Sequence, residues 1–321
     1  MRPLQSGVVT GTTFTVVSAS SATHHITRAL DPLAAAIVVV LCLSWGFNQV
    51  AVKLAIHDIP PLTQAAVRSL LAAIVVVTWC RLRGIPLLTR DNTLRAGLAC
   101  GALFGAEFIL IYHGLNYTTA TRAVLFIYLA PFFVVAGARI FLPVDRFSLP
   151  QWIGLALSFA GMIVAFGLPT PALDPRQALG DLMMVGAAAF WAGTTLMIKA
   201  SPLQKVAAEK TMLYQLVVSA PMMAIAALLV GERVTHMPDA VALGALAYQT
   251  FWVVSITFVV WFWLIVRYSA NRLSAFSFLT PLFGVAAGHL VLNEPLTPAF
   301  AGAVALVAAG LVLVNRAPAP K

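Results

Sequence analysis

The sequence predicts an all-α integral membrane protein whose ten transmembrane helices form two inverted five-helix repeats. Three observations predict this fold class. Hydrophobic residues make up 60% of the 321 positions and charged residues 10%, whereas roughly 25% of a soluble domain is charged. Apolar runs of about 20 residues, long enough to cross a bilayer as a helix, recur along the chain. The second half of the chain also repeats short motifs of the first half.

Short loops with prolines and charges separate the apolar segments, for example at residues 57–61 and 293–295. None of these loops is long enough to form a soluble domain. The predicted spans cover residues 33–53, 61–80, 95–115, 121–141, 151–168, 179–199, 211–230, 243–266, 273–292 and 299–315.

The chain divides into a tail and two repeats. Residues 1–30 are rich in Ser and Thr and lack the continuous apolar core of a signal peptide. We therefore expect them to form a loosely ordered cytoplasmic tail, and an over-long start site is the alternative. The first five-helix repeat is predicted over residues 31–170 and the second over residues 176–316.

The basic residues orient the predicted spans. The net charge is +9. With the N-terminus in the cytoplasm, most of the 20 Lys and Arg residues fall on the inner side, and the outer side receives Lys53, Arg122, Arg176 and Arg233. This bias follows the positive-inside rule. We therefore expect a multi-pass protein of the cell membrane, the inner membrane of a bacterium, with both termini cytoplasmic and no nucleic-acid partner.

The residues that would carry catalysis or bind a metal do not form a recognisable motif. Cys42, Cys80 and Cys100 lie in or beside apolar spans without metal-ligand spacing, so we expect small core residues. The chain contains no G-x-x-x-x-G-K-[ST], H-E-x-x-H or G-x-S-x-G sequence. We therefore predict no metal site, no cofactor and no enzymatic activity.

The internal repeat is the most informative feature of the sequence. SWGFNQVAVK at residues 44–53 corresponds to FWAGTTLMIK at residues 190–199, and Pro131 corresponds to Pro281. A unit of five spans is odd, so the second copy must enter the membrane from the opposite face. Inverted repeats build many secondary transporters, in which the substrate lies near the membrane midplane between the repeats.

The ordered set of motifs resembles the EamA-type branch of the drug/metabolite transporter superfamily. The set comprises the W-G-x-N element at Trp45, an arginine in the second span, prolines in the fourth and ninth spans, and E-P-L-T from Glu294 before a glycine-containing last helix. The resemblance covers about residues 33–315. One departure is Asp145, which stands where a glutamate is more usual. The resemblance implies a central pocket lined by both halves and the export of amino acids or other small metabolites.

Polar residues inside the first and sixth spans are candidates for that pocket. Each span places a tryptophan and two polar residues at i, i+3 and i+4, on one face of a helix. The alternative is that they hold neighbouring helices together, at only about 0.6 kcal/mol per hydrogen bond. These candidates are Trp45, Asn48 and Gln49 in the first span and Trp191, Thr194 and Thr195 in the sixth.

Two charged residues lie well inside the spans. Arg68 and Glu107 fall about 10 Å and about 13 Å from the outer ends of consecutive helices, at a rise of 1.5 Å per residue. A charge at the bilayer centre costs about 2.5 to 3.5 kcal/mol. Their similar depth permits a salt bridge, provided that the two helices pack as neighbours with those faces together, and a structural pair is the first interpretation. Two other interpretations stay open: Arg68 binds a substrate carboxylate, or Glu107 carries a proton.

Further pocket candidates come from the seventh and eighth spans, and the prolines are candidate hinges. In the seventh span, Tyr214 corresponds to Arg68 of the first repeat and is followed by the polar residue Gln215. In the eighth span, Gln249 and Trp252 lie three residues apart, on one face of an α-helix. Prolines inside spans should kink their helices. The remaining candidates are Tyr214, Gln215, Gln249 and Trp252 for the pocket, and Pro131 and Pro281 for the hinges.

The sequence therefore predicts a secondary transporter that exports a small-molecule substrate by alternating access. A channel or a lipid flippase, and last an intramembrane enzyme, are the open alternatives. A channel would need a continuous polar lining, whereas the polar residues form isolated patches. We expect the lipid bilayer as the other partner, an assembly no larger than a weak homodimer, and proton coupling as an open question.

Overall fold

The structure is a computed structural model that describes residues 30–142, 147–168 and 174–316. The predicted tail, apart from its last residue, and the loop residue Asp145 lie outside the described residues. A 3₁₀ turn covers Pro202–Lys205 and a π-helix covers Tyr248–Thr257. The α-helices are α1 (Pro32–Ala55), α2 (Pro61–Leu82), α3 (Leu94–Gly114), α4 (Ala120–Ile127), α5 (Ala130–Phe141), α6 (Leu149–Phe166), α7 (Pro175–Ala200), α8 (Ala208–Leu229), α9 (Ala240–Ala247), α10 (Phe258–Arg267), α11 (Ala270–Phe276), α12 (Leu279–Leu292) and α13 (Ala299–Asn315).

The described helices confirm an all-α membrane fold. Nine helical segments in the described ranges are long and apolar enough to cross a bilayer, and α13 is a shorter apolar helix of 17 residues. Each of the ten predicted spans coincides with one of these segments to within four residues at either end. The apolar run length therefore located every span.

Several helices begin at a residue whose side chain caps the first turn, or at a proline, which fits the first turn without losing a hydrogen bond. Asp31, Thr119 and Asp239 each precede a helix and accept a hydrogen bond from a main-chain N–H of its first turn. Pro61 and Pro175 occupy first-turn positions, where the missing N–H costs no helix hydrogen bond. Such caps matter in a membrane because lipid offers no partner to an unpaired N–H group.

Two spans are broken in the middle at matched positions. The fourth span is divided into α4 and α5, and the ninth into α11 and α12. Pro131 is the second residue of α5 and Pro281 is the third residue of α12. A proline lacks the N–H that a continuous helix needs, and its ring clashes with the preceding turn. The breaks therefore lie where the sequence predicts them, and the hinge role stays a prediction.

The eighth span changes its winding without a break. α9 continues into the ten-residue π-helix, and α10 follows directly. Most π-helices are single-turn bulges, and these occur frequently at functional sites. A π-helix has more residues per turn than an α-helix, so residues three apart no longer share a face.

The two halves of the chain interlock. The most extensive contacts join α6 to α13, α3 to α7 and α8, α2 to α8, and α1 to α12, and each pair connects the first half to the second. Equivalent helices of the two halves make equivalent contacts. α1 packs on α12 of the broken ninth span, and its counterpart α7 packs on α4 and α5 of the broken fourth span. Small residues permit the closest approach, since a Cβ added to Gly310 would lie 2.5 Å from the carbonyl oxygen of Gly154.

The consecutive helices α2 and α3 share few contacts because helices of the other half flank them. We name the two ends of the bundle from the predicted orientation. The outer end carries the loops 56–60, 115–119 and 230–239. The inner end carries the loops 83–93, 201–207 and 268–269.

Candidate functional site

Arg68 is a buried cation with little compensation. It lies on α2, about two turns from the outer end, with 3% of its surface exposed. Its guanidinium carbon lies 4.9 Å from the centre of the Phe108 ring, and its Nη1 donates a long hydrogen bond of 3.4 Å to Oε1 of Gln249. Its Nε has no partner, and no acidic side chain of the described ranges forms an ion pair with it. The guanidinium therefore keeps hydrogen-bonding capacity that no described residue uses.

Gln249 connects Arg68 to an outer loop through Gln64. The Nε2 atom of Gln249 donates to Oε1 of Gln64 at 2.9 Å, and Nε2 of Gln64 donates to the carbonyl oxygen of Ile59 at 2.7 Å. Both glutamine side chains are buried. This chain of donors keeps Oε1 of Gln249 directed at Arg68. The sequence predicted Gln249 but missed Gln64, whose only signal was a polar residue in the first turn of an apolar helix.

Glu107 does not form the predicted salt bridge with Arg68. Both residues are described, and no ion pair joins them; the Glu107 carboxylate also receives no hydrogen bond from a described residue. By helical spacing Glu107 shares a face with Leu103 and Leu110, which lie against glycines of α7. Phe108 follows about 100° further round the helix and faces Arg68. The two charges have similar depth but point to different faces.

Trp45 belongs to an aromatic wall between the two halves. Its Nε1 donates to Oγ1 of Thr257 at 2.8 Å, a partner that the sequence missed. Its ring meets the edges of Phe258 and Trp261, with ring centres 5.8 Å and 5.2 Å away. Phe258 also contacts the ring of Phe104, and Phe104 contacts the ring of Phe108, which packs on Arg68. The aromatic wall consists of Trp45, Phe104, Phe108, Phe258 and Trp261.

Trp191 lies in a separate aromatic cluster. Its ring centre lies 5.8 Å from that of Tyr128, which lies 6.3 Å from that of Phe278. Tyr128 and Phe278 are the residues at the breaks of the fourth and ninth spans. The two matched tryptophans therefore contact different elements: Trp45 contacts the π-helix and α10, and Trp191 contacts the broken helices.

The other polar candidates of the first, sixth and seventh spans are not gathered around Arg68. Asn48 and Gln49 lie on the outer half of α1, where Gln49 is exposed and Oδ1 of Asn48 is buried without a partner. Thr194 and Thr195 lie on the inner half of α7, and Gln215 on the inner half of α8. The Thr194 hydroxyl and both amide atoms of Gln215 have no hydrogen-bond partner.

The last two candidates also lie apart. The Tyr214 hydroxyl lies 3.1 Å from Oγ1 of Thr93 at the inner end. Trp252 is 40% exposed, and its Nε1 donates to Oγ of Ser44 at 2.9 Å. The expectation that Gln249 and Trp252 share a helix face is wrong, because the π-helix turns one towards α2 and the other towards α1.

A buried ion pair that the sequence did not predict joins α4 to α7 near the outer end. The guanidinium of Arg122 binds the Asp181 carboxylate through Nε, at 3.1 Å, and through Nη2. Thr118 donates to the same carboxylate at 2.6 Å. Each charge is thus compensated, in contrast to Arg68.

A cavity of about 370 Å³ lies between α1, the π-helix and α12. Its lining is almost entirely apolar. No predicted site residue contributes to it, so it is distinct from the Arg68 cluster. The lining residues are Leu43, Ser44, Phe47, Tyr248, Phe283, Ala286, Ala287, Leu290 and Val291.

Interlocked helices, nine of which within the described ranges are long and apolar enough to cross a bilayer, define an integral membrane protein. The sequence profile of the EamA-like transporter family matches residues 32–167 and again residues 178–316. The chain therefore belongs to the EamA-like transporter family, which confirms the resemblance seen in its motifs.

Several known proteins are similar to this chain over most of its length. A "Probable amino-acid metabolite efflux pump" of Salmonella typhimurium is 29% identical over 88% of this chain and 94% of its own. "Uncharacterized inner membrane transporter YedA" of Escherichia coli is 25% identical over 90% and 92%. "Uncharacterized transporter YoaV" of Bacillus subtilis is 22% identical over 81% and 89%. One solved crystal structure, 21% identical, has a TM-score of 0.76 over 88% of this chain and 97% of the other, which shows the fold.

Proposed function

We propose that this protein is a secondary transporter that exports a small metabolite with a carboxylate group, such as an amino acid or a related compound, by alternating access. The observation that carries the proposal is the uncompensated charge of Arg68. Burying a charge without a partner costs several kcal/mol, so such groups are rare unless they serve a function. A substrate carboxylate would complete the hydrogen bonds that the guanidinium lacks.

The setting of Arg68 supports a binding role. Gln249 and Gln64 form a chain of hydrogen bonds that holds one side of the guanidinium, and Phe108 supports its face. A group held in this way loses little further conformational freedom on binding. The name of the Salmonella relative, an amino-acid metabolite efflux pump, agrees with a carboxylate substrate.

Thermal stability of the purified protein with a panel of L-amino acids and their carboxamides tests the proposal. A ligand at about 100 times its Kd raises the free energy of unfolding by about 2.7 kcal/mol. We expect an amino acid to raise the melting temperature and its amide to have no effect, and Arg68→Met to remove the difference. Equal shifts with an acid and its amide would show that Arg68 does not read a carboxylate.

Glu107 is the proposed proton carrier. Its carboxylate is buried on α3 and has no donor among the described residues, so binding a proton would remove the cost of an isolated charge. We expect Glu107→Gln to abolish transport driven by a pH gradient and to retain counterflow exchange of labelled substrate. Gradient-driven uptake at the wild-type rate in this variant would exclude the role.

A lipid flippase is the second candidate function. The apolar cavity between α1, the π-helix and α12 favours it, because apolar side chains of its lining such as Leu43 and Leu290 are exposed on the surface of the bundle, where an acyl chain could enter. A fluorescent-lipid translocation assay in proteoliposomes separates the two functions. The channel alternative lacks comparable support, since the polar candidates form separate groups and not one continuous lining.

A further inference from the structure

The inner end of the bundle is packed more tightly than the outer end. α5 packs on α11, and α10 packs on α7. The equivalent pairs at the outer end, α12 with α4 and α3 with α1, share at most marginal contact. All seven residues of α11 are buried, whereas Ala120 and Thr121 of its counterpart α4 are exposed. The repeated elements therefore adopt different arrangements at the two ends.

A matched pair of lysines shows the same asymmetry. Lys199 is 6% exposed, and its Nζ donates to the carbonyl oxygen of Ile265 at 2.9 Å and to that of Tyr268, which ties the end of α10 to α7. Lys53, its counterpart in the first repeat, keeps 59% of its side chain exposed and pairs with Glu294 at 2.7 Å.

Three polar side chains are sealed without partners in the tight half. Thr194 is 4% exposed, and Gln215 and Ser219 are fully buried. The hydroxyl groups and both amide atoms of Gln215 form no hydrogen bond. Buried polar groups are almost always paired, so such exceptions need an explanation.

The backbone at Thr194 and at Tyr214 lies against one turn of α3, and the backbone at Ser219 lies against Gly105 in the next turn. The Sγ atom of Cys100 lies 4.0 Å from the carbonyl oxygen of Thr194. A Cβ added to the adjacent Gly101 would lie 2.7 Å from the carbonyl oxygen of Tyr214, the residue before Gln215. α7 and α8 therefore both pack on this part of α3, and α10 packs on both of them from the inner side.

We propose that Thr194, Gln215 and Ser219 line the inner half of the transport pathway, which is closed in this structure. This inference rests on the proposed alternating access. When α10 and α11 withdraw from α7, water and then the polar groups of the substrate become the partners of these side chains. The hydrogen bonds of Lys199 to the end of α10 are among the contacts that hold the inner half closed.

Thiol labelling in lipid nanodiscs tests the proposal without a substrate. In a background with Cys42, Cys80 and Cys100 replaced by alanine, the rate of modification by a charged, membrane-impermeant maleimide is measured at Thr194→Cys. We expect Lys199→Ala to raise this rate by about tenfold, since it shifts the population towards the conformation open at the inner end. Labelling at Asn48→Cys, the matched position in the outer half, should slow in the same variant.

Matched controls make the result specific. Lys53→Ala removes the corresponding lysine of the other repeat and should not raise labelling at Thr194→Cys. Val217→Cys, on the exposed face of α8, should remain unlabelled in every background because lipid covers it. If Lys199→Ala does not fold, Tyr268→Phe is the replacement variant. It removes a single hydrogen bond at the inner end, from the Tyr268 hydroxyl to Asp31 at 2.8 Å.

The outcomes separate this proposal from the proposed function. Folded protein whose Thr194→Cys and Gln215→Cys rates do not respond to either inner variant overturns the pathway, even if the protein transports amino acids. Labelling that follows the expected pattern supports the pathway, even if no amino acid shifts the melting temperature.

Discussion

At the residue scale, two buried arginines have opposite settings. Arg122 faces Asp181 and is compensated, whereas Arg68 has one long hydrogen bond to an amide oxygen. Removing one partner of a buried ion pair leaves an uncompensated charge and costs about 3 to 5 kcal/mol. Removing a charge that has no partner relieves a desolvation cost instead. The two arginines should therefore respond differently to the same substitution.

We predict that Arg68→Met abolishes transport without lowering the melting temperature, because methionine keeps an apolar stem against Phe108 and removes the unpaired charge. Arg122→Met is the matched control and should lose about 3 to 5 kcal/mol of stability. Chemical or thermal denaturation and a flux assay measure both effects. A destabilisation by Arg68→Met as large as that of Arg122→Met would indicate a structural role. Because no ion pair joins Arg68 to Glu107, the effects of replacing the two residues on stability should add independently.

At the inner end, the carboxylate of Asp91 joins the loop 83–93 to α8 through a salt bridge with Lys210 that depends on pH. Lys210 donates to it at 2.7 Å, and the hydroxyls of Thr93 and Thr89 donate at 2.6 Å and 2.7 Å. These donors, Lys210 first, hold the pKa of Asp91 well below its ordinary range. A lowered folded-state pKa gives stability that is present above the unfolded pKa of about 3.9 and is lost as the pH falls below it.

We predict that the melting temperature of the wild type falls more steeply below about pH 4 than that of Asp91→Asn, because only the wild type loses this salt bridge on protonation. The two curves should converge at the lowest pH, and the variant should be less stable near neutrality. Asp174→Asn serves as a control from another loop. Parallel curves for wild type and Asp91→Asn would contradict the assignment.

At the element scale, the broken helices and the π-helix shape the centre of the bundle. The breaks lie next to Tyr128 and Phe278, and Tyr128 contacts Trp191. The π-helix directs Gln249 to Arg68 and Thr257 to Trp45. Irregular helices in the membrane are retained only where neighbouring groups satisfy the freed backbone, and in transporters they often line the substrate site, so we expect these elements to have a functional role.

We predict that Pro131→Ala and Pro281→Ala each raise the melting temperature and slow transport, while substrate binding is kept. A proline disfavours a continuous helix by about 3 kcal/mol relative to alanine, so alanine should rejoin the broken segments. Pro150, in the first turn of α6, is the control, because a proline there breaks no helix. Unchanged turnover in both variants would exclude a hinge at these positions.

At the scale of the whole molecule, the two halves form one interlocked body. The largest contacts cross between the halves, and the same pairs recur when the halves are exchanged. A unit of five spans that enters the membrane from opposite faces accounts for this pattern, and it requires both chain termini to lie on the same side. The prevalence of Lys and Arg at the inner end predicts that this side is the cytoplasm.

We predict that tags fused at Met1 and Lys321 are both protected in intact cells and both accessible in inverted membrane vesicles, because ten spans return the chain to its starting side. Protease accessibility, with a tag inserted in the loop 230–239 as the opposite control, measures the orientation. Termini on opposite sides would rule out the ten-span arrangement.

The sequence by itself determined the membrane class, the ten spans, the helix breaks and the family. These follow from local properties: the length of an apolar run, a missing N–H and the spacing of repeated motifs. It also selected Arg68 and Gln249, because a charge or an amide inside an apolar run is conspicuous. Gln64 escaped notice because a polar residue in the first turn of a helix is common, and Thr257 because a single threonine inside an apolar span is not conspicuous.

Only the tertiary structure decided which side chains meet. Glu107 lies at a similar helical distance from the outer end as Arg68 but forms no ion pair with it, because α3 packs against α7 and α8 of the opposite half and not mainly against α2. Trp252 and Gln249 diverge because the span that carries them winds as a π-helix. Arg122 finds Asp181 across 59 residues of chain. Depth in the membrane depends on distance along one helix, whereas contact depends on the rotation and the neighbours of every helix, which are set only when the whole bundle packs.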